Sequence, residues 1–309
     1  CIRDRYLDNA LASLDMGPRR FKIAVDAGHG AGGPLAVALY RRLGFEVIDL
    51  YCEMDGRFPA HHPDPTVEAN LADLKSCVVA ESAEVGIALD GDGDRLGAID
   101  GRGRVLWGDQ LMLLFGREIV RELPGSRFIA EVKCSQTLFD GLRDAGGEAI
   151  MWKVGHSLIK AKMKETGAVL AGEMSGHLFF AHRYLGFDDG IYAGARLLEL
   201  LSKSDQTLDV LFEQLPATTV TPEIRVECPD ERKFQIVDCV TKSLGEHPEV
   251  IEVIDIDGVR ARFQEGWGLV RASNTQPVLV VRAEASGREQ LDAIRTIIDA
   301  AITKAMESA

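Results

Sequence analysis

Residues 85–100 read VGIALDGDGDRLGAID: an apolar run opens into three aspartates at alternate positions, Asp90, Asp92 and Asp94, followed by Arg95 and a second apolar run. The first run reads as a β-strand that delivers the chain into a loop of carboxylates. In extended chain, positions i, i+2 and i+4 project to one side, and the intervening glycines permit tight curvature. Converging carboxylates repel one another unless a cation lies among them, and a hard divalent ion, Mg2+ above all, suits an all-oxygen set. An EF-hand does not fit, because counting Asp90 as position 1 puts Arg95 where Gly is needed and Gly101 where Glu is needed. A merely solvated acidic turn is disfavoured by the apolar strand leading straight into the loop.

Upstream of that strand, FKIAVDAGHGAGG from Phe21, PLAVALYRRLGF and FEVIDL give strand, glycine-rich turn, amphipathic helix and strand, a β-α-β unit. A helical stretch near Val67 to Glu81 leads into the aspartate strand. Downstream, LGAID and RVLW flank Gly101-Arg102-Gly103 as a hairpin that closes the region. From Gly108 to about Leu215, helices (DQLMLLFGREIVREL, TLFDGLRDAG, SLIKAKMKETG) alternate with strands (RFIAEV, EAIMW, AVLAG). That alternation implies right-handed crossovers and a mostly parallel sheet. After Pro216 the texture changes to TTVTPEIRVECPD, VIEVIDIDGVRARF and PVLVVRAEA, with Asp257-Gly258 as a hairpin signal and REQLDAIRTIIDAAITKAM as a closing helix. The expected fold is therefore α/β: two consecutive α/β/α domains with mixed, mostly parallel sheets over 1–104 and 105–216, then a smaller α+β domain over 217–309.

The length of 309 residues, with 46% hydrophobic and 27% charged, fits such a multidomain globular chain. A net charge of −13 without basic clusters argues against nucleic acid as a partner. No apolar run approaches the roughly 18 to 20 residues of a membrane span, and no signal peptide opens the chain, so a cytoplasmic, unexported protein is expected. The six cysteines (Cys1, Cys52, Cys77, Cys134, Cys228, Cys239) lack CxxC spacing, which indicates neither a disulfide framework nor a zinc site. Residue 1 is Cys rather than Met, and CIRDRYLDNALASLD reads as the tail of a helix already under way, so an N-terminal part is expected to be missing.

Ligands of doubly wound sheets gather beyond the carboxyl ends of the strands, which directs attention to the residues just after them. AGEMSGH (171–177) places Glu173 and Ser175 two apart, suited to hydrogen-bonding neighbouring hydroxyls such as a sugar's, with His177 able to move a proton or meet an anion. RASNTQP (271–277) packs the donors of Arg271, Ser273, Asn274 and Thr275 into a cradle without a carboxylate, which suits phosphate. Alone, either loop could equally be a polar turn. Lys133 in EVKCS and His156 in KVGHS follow strands and could meet a phosphate or carry a proton, although surface or structural roles are as common. His29 in GHGAGG lacks the GxGxxG spacing of a dinucleotide site, and His61 and His62 in FPAHHPDP read as a structured loop.

Taken together and in order, DGDGDR, GEMSGH and RASNTQP resemble the α-D-phosphohexomutases, in the bacterial phosphomannomutase/phosphoglucomutase branch. CEMDGRFPAHHPDP, VKCSQTL, MWKVGHSLIKAKMKETGAVLAGEMSGH and GFDDGIYAGARLLELLS extend the resemblance along the chain. It implies that Asp90, Asp92 and Asp94 bind Mg2+, with Arg95 beside the reacting phosphoryl group. Glu173 and Ser175 would hold sugar hydroxyls with His177 close by, and Arg271, Ser273, Asn274 and Thr275 would clamp the phosphate that is not transferred. Lys133 and His156 would contact the sugar phosphate and assist proton movement. The implied reaction interconverts hexose 1- and 6-phosphates through a hexose 1,6-bisphosphate, beginning from a phosphoserine. That serine's motif resembles TASHNP, and Ser13, Ser76, Ser82 and Ser135 lack its histidine and asparagine. The chain is thus expected to hold the family's second, third and fourth domains without the first, its partner in turnover. The rival expectations are a phosphoglucosamine mutase, whose sugar loop usually reads GEQSGH where this chain has Met174, and a noncatalytic phosphosugar-binding protein.

Overall fold

The computed structural model describes residues 2–308, so Cys1 and the reading placed on it lie outside the described residues. The chain divides into two compact units. Unit 1 comprises Cys1–Cys134, Leu138–Met151 and Gly155–Leu215; unit 2 comprises Ser135–Thr137, Trp152–Val154 and Pro216–Ala309.

Unit 1 opens with helix α1 (Ile2–Ser13), then β1 (Lys22–Asp26), α2 (Gly33–Arg42), β2 (Glu46–Leu50), α3 (Ala72–Ala80) and β3 (Val85–Leu89). β4 (Leu96–Asp100) and β5 (Val105–Leu106) complete a five-stranded sheet in the order β2-β1-β3-β4-β5. The β1 ladders to β2 and β3 are parallel, as crossover helices require, whereas β4 runs antiparallel to β3 and β5 to β4. The aspartate loop is therefore the connection of a β-hairpin, and every residue of β3 and β4 is buried.

The unit continues through α4 (Gly108–Glu122), β6 (Arg127–Glu131), α5 (Gln136–Asp144), β7 (Glu148–Trp152), α6 (His156–Thr166), β8 (Leu170–Gly172), β9 (Leu178–Phe180), α7 (Gly190–Lys203) and α8 (Leu208–Glu213). The second sheet has the order β7-β6-β8-β9, with β8 parallel to β6 and β9 turning back antiparallel on β8. GEMSGH is consequently also a hairpin connection. One apolar cluster runs from Ile23, Val25 and Ile87 through Leu111, Phe115 and Phe128 to Leu178 and Leu198, so both sheets of unit 1 share a continuous core. The boundary expected at residue 104 falls inside this unit.

Unit 2 contains β10 (Thr219–Val220), β11 (Ile224–Glu227), α9 (Lys233–Gly245), β12 (Glu252–Ile254), β13 (Val259–Phe263), β14 (Gly266–Ala272), β15 (Val278–Ala285) and α10 (Arg288–Ser308). Its sheet is antiparallel in every pairing, with order β10-β15-β14-β13-β12 and β11 also on β15. Helix α9 was not anticipated, although Ile236, Val237, Val240 and Leu244 bury a helical stripe there. The sequence pattern marked no strand at the glycine-rich start of β14. A Cβ on Gly268 would lie 2.8 Å from Ile298 Cγ1, so glycine lets α10 close onto the strand, and Arg271 becomes a strand residue rather than a loop residue.

Candidate active site

Asp90 caps the end of β3 and folds the loop that follows. It is 2% exposed; its Oδ1 accepts the backbone N–H groups of Gly93 (3.0 Å) and Arg95 (3.1 Å), and its Oδ2 accepts Arg95 Nε at 2.6 Å. Burial opposes ionisation of Asp90, but the Arg95 bonds outweigh it and hold the carboxyl below the usual carboxylate range. Gly93 turns the chain at φ 84°, a left-handed conformation that a side chain would strain.

The three aspartates keep one oxygen each within 4.8 Å of the others. Asp94 Oδ1 is buried and accepts no hydrogen bond. Burial, then the charges of Asp90 and Asp92, push its carboxyl up to about 7. Three converging carboxylates, one with an orphaned oxygen and a reluctance to ionise, are a donor set that a divalent cation completes. The residues fit the ion that the sequence implies.

The sugar-loop candidates reach the same place through a hairpin contact. Leu96 donates its backbone N–H to Gly176 O (3.0 Å), and Arg95 bridges His177 in antiparallel fashion. Gly176 sits at φ 96°, where a Cβ would lie 2.4 Å from Leu96 O, so only glycine allows the β8–β9 turn to seat on β4. Glu173 is buried; its Oε1 accepts Gly155 N–H at 2.8 Å and its Oε2 lies 3.3 Å from Ser175 Oγ.

His177 Nδ1 stands 3.5 Å from Asp94 Oδ1 and 3.6 Å from Asp188 Oδ2. Burial lowers its pKa and prevails over the raising charges of Glu173 and Asp188, which favours the neutral ring. Its ring stacks 6.3 Å from that of His156, at the start of α6. His156 Nδ1 lies 3.8 Å from Asp188 Oδ2, and Lys160 Nζ bonds Asp188 Oδ1 at 2.9 Å. Asp188 thus gathers three basic groups, and sequence reasoning gave neither it nor Lys160 a role. The GFDDG stretch that contains Asp188 offered no spacing signal. Lys133 Nζ lies 3.6 Å from Glu131 Oε1, and the same oxygen accepts Met174 N–H at 3.0 Å. Fully buried Glu131 was likewise missed.

Unit 2 holds the remaining candidates. Arg271 is 5% exposed, with Nε 3.2 Å from Asp257 Oδ2, while its buried Nη2 has no hydrogen-bond partner among the described residues. Ser273 Oγ accepts the N–H groups of Thr275 (3.3 Å) and Gln276 (3.2 Å), and Asn274 and Thr275 are exposed at the tip of the turn. A buried guanidinium nitrogen left unpaired beside a turn with exposed donors favours an anion. Asp257 appeared in the sequence only as a hairpin signal. His61 sits in a structured loop, its Nε2 3.1 Å from Asp26 Oδ2.

Three family models match the chain in order: phosphoglucomutase/phosphomannomutase alpha/beta/alpha domain II over residues 4–103, alpha/beta/alpha domain III over 107–219, and the C-terminal domain over 223–301. A phosphomannomutase/phosphoglucomutase of Pseudomonas putida is 47% identical over 96% of this chain and 63% of its own length. A phosphoglucomutase of Neisseria gonorrhoeae is 46% identical over 97% of this chain and 65% of its own. A crystal structure of a phosphoglucomutase/phosphomannomutase family protein from Burkholderia thailandensis superposes with TM-score 0.93 at 42% identity, covering 98% of this chain and 64% of that one. The chain therefore spans somewhat under two thirds of the length of these relatives. Identity sustained along the whole chain, with each domain model in register, shows that it belongs to the phosphoglucomutase/phosphomannomutase family.

Proposed function

We propose that this chain carries the metal, sugar and phosphate loops of a phosphohexomutase that interconverts the 1- and 6-phosphates of glucose and mannose through a hexose 1,6-bisphosphate. The observation that carries the reading is the docking of the sugar-loop hairpin on the metal-loop hairpin, which leaves His177 Nδ1 3.5 Å from Asp94 Oδ1. Asp90, Asp92 and Asp94 would hold Mg2+, which when bound supplies positive charge to the oxygens of a transferring phosphoryl group. Arg95 neutralises the same developing charge from its own guanidinium. Glu173 and Ser175 orient the sugar hydroxyls, and the reactive hydroxyl gives its proton to His177 Nε2 as its oxygen bonds phosphorus and the donor oxygen leaves. Lys133 and His156 bind the sugar phosphate, and in unit 2 Arg271, Ser273, Asn274 and Thr275 bind the phosphate that stays in place.

Met174, where the sugar loop of phosphoglucosamine mutases usually carries glutamine, supports glucose and mannose phosphates over an amino sugar. The three-domain division at 104/105 and 216/217 belongs to the same reading, the second boundary supported by the break in compactness after Leu215. So does a cytoplasmic setting, supported by the free thiols of Cys52, Cys77, Cys134, Cys228 and Cys239. No helix among the described residues is long and apolar enough to cross a membrane.

These residues include no serine in the expected donor motif, so turnover is expected to require a phosphoserine segment. The test is conversion of glucose 1-phosphate to glucose 6-phosphate with Mg2+ and glucose 1,6-bisphosphate, with and without the N-terminal third of a curated relative. We expect product only with that segment, and for mannose as well as glucose phosphates. Turnover confined to glucosamine phosphate would assign a phosphoglucosamine mutase, and affinity without turnover in both mixtures would assign a binding protein.

A further inference from the structure

The segment FPAHHPDPT (58–66) has no part in the chemistry above, yet it is built against the metal hairpin. Its His61 bonds buried Asp26 at the end of β1. A Cβ on Gly91 would lie 3.4 Å from Pro63 Cγ, and one on Gly97 2.8 Å from Pro65 Cβ, so Pro63 and Pro65 flank the aspartates and the start of β4. Between the two prolines stands Asp64. Its Oδ1 accepts the N–H (3.0 Å) and hydroxyl (2.7 Å) of Thr66, and its carbonyl accepts Asn70 Nδ2 at 3.0 Å, which fixes the side chain in a turn.

The same Asp64 Oδ1 accepts Arg95 Nη1 at 3.0 Å, while Asp90 Oδ2 accepts Arg95 Nε at 2.6 Å. Two carboxylates from separate segments therefore grip one guanidinium, and Nη2 has no hydrogen-bond partner among the described residues. A free arginine side chain samples many rotamers, and holding it before the ligand arrives removes that entropy loss from binding. We propose that Asp64 is a positioning residue, locking the Arg95 guanidinium so that its remaining N–H groups meet a phosphoryl oxygen. The proposal rests on the reading that Arg95 faces the transferred phosphoryl group. The plain alternative is that Asp64 only stabilises its own turn through Thr66 and Asn70.

The two are separated in the 309-residue chain by comparing Asp64→Asn, Asp64→Ala, Thr66→Val, Arg95→Ala and the double variant D64N/R95A. Nitrogen-15 NMR of the arginine side chains, with the Arg95 signal assigned by its loss in R95A, gives the rate of rotation about the Nε–Cζ bond. Rotation is expected to be slow in the wild type, several-fold faster in D64N and D64A, and unchanged in T66V. Calorimetric titration with glucose 1,6-bisphosphate in Mg2+ is expected to show about tenfold weaker binding for R95A, about threefold weaker for D64N, and no further loss in the double variant. Rotation unmoved by removal of the Asp64 carboxylate overturns the positioning role, as does additive loss in the double variant. Affinity unmoved by R95A overturns instead the reading of Arg95, so the two failures are told apart. Should D64A not fold, the nearly isosteric D64N carries the rotation test.

Discussion

Burial, and after it the charges of Asp90 and Asp92, raise Asp94 to about 7, so ionising it weakens the metal-free fold as pH climbs above the ordinary carboxylate range. Asp94→Asn removes that penalty along with a proposed metal ligand. At about pH 8 without divalent ions, D94N is expected to melt at or above the wild type, and added Mg2+ to raise the wild-type Tm well beyond that of D94N. Melting of D94N below the metal-free wild type would contradict this. At His61, burial lowers the pKa, but the bond to the His62 carbonyl and the Asp26 charge outweigh it and leave the folded value raised. Its stabilising contribution is complete below the unfolded value of about 6.5 and is lost as pH rises through the folded one. Asp26, raised chiefly by burial, also loses stability as pH rises, from its ordinary carboxylate range upward. The stability advantage of wild type over the nontitrating pair D26N/H61Q, followed by thermal melting, should therefore shrink as pH rises through and above about 6.5, the ordinary histidine value. An advantage that grows would oppose it. The metal and sugar-loop candidates were legible because each motif crowds its polar groups into a few residues. Asp64 and Asp188 were not, because the partners that give them meaning lie far off in sequence, as Arg95 lies 31 residues from Asp64.

The two hairpin connections of unit 1 depend on backbone that one added carbon would obstruct. Gly176→Ala would force a side chain into a left-handed conformation and against Leu96 O, so a loss on the order of 1–3 kcal/mol is expected in urea unfolding, with weaker sugar-phosphate binding. Ser175→Ala, next to it in the same turn, removes only a hydroxyl and should weaken binding with little loss of stability. A G176A chain as stable as the wild type would refute the docking argument. Most strands were readable because apolar runs ended at clear turn signals, as at Leu89 and Gly172. β14 carried no strand signal of its own because Gly266 and Gly268, which ordinarily punctuate loops, make room here for α10. Helix α9 was legible too, although it was not among the expected elements: Ile236, Val237, Val240 and Leu244 recur at helical spacing, and the polar residues between them form the opposite face.

Each unit has a core of its own, with Trp267, 1% exposed and stacked 3.7 Å from the Arg260 guanidinium, inside the sheet of unit 2. Separate cores need not melt together. Urea unfolding of a W107F/W152F chain, followed by Trp267 fluorescence, is expected not to coincide with the loss of far-UV circular dichroism; coincident curves would mean one cooperative unit. The alternation of helices and strands foretold the α/β layout, whereas the continuous core joining both sheets of unit 1 arises from side chains distant in sequence, such as Ile87 and Leu198. If these loops form the proposed site, the chain binds a bisphosphorylated hexose in a metal-dependent way, and calorimetric titration with glucose 1,6-bisphosphate measures that binding. One saturable site is expected in Mg2+, weakened about tenfold or more by chelation, by D92N and by E173A. Absence of binding, or binding indifferent to all three, would contradict it.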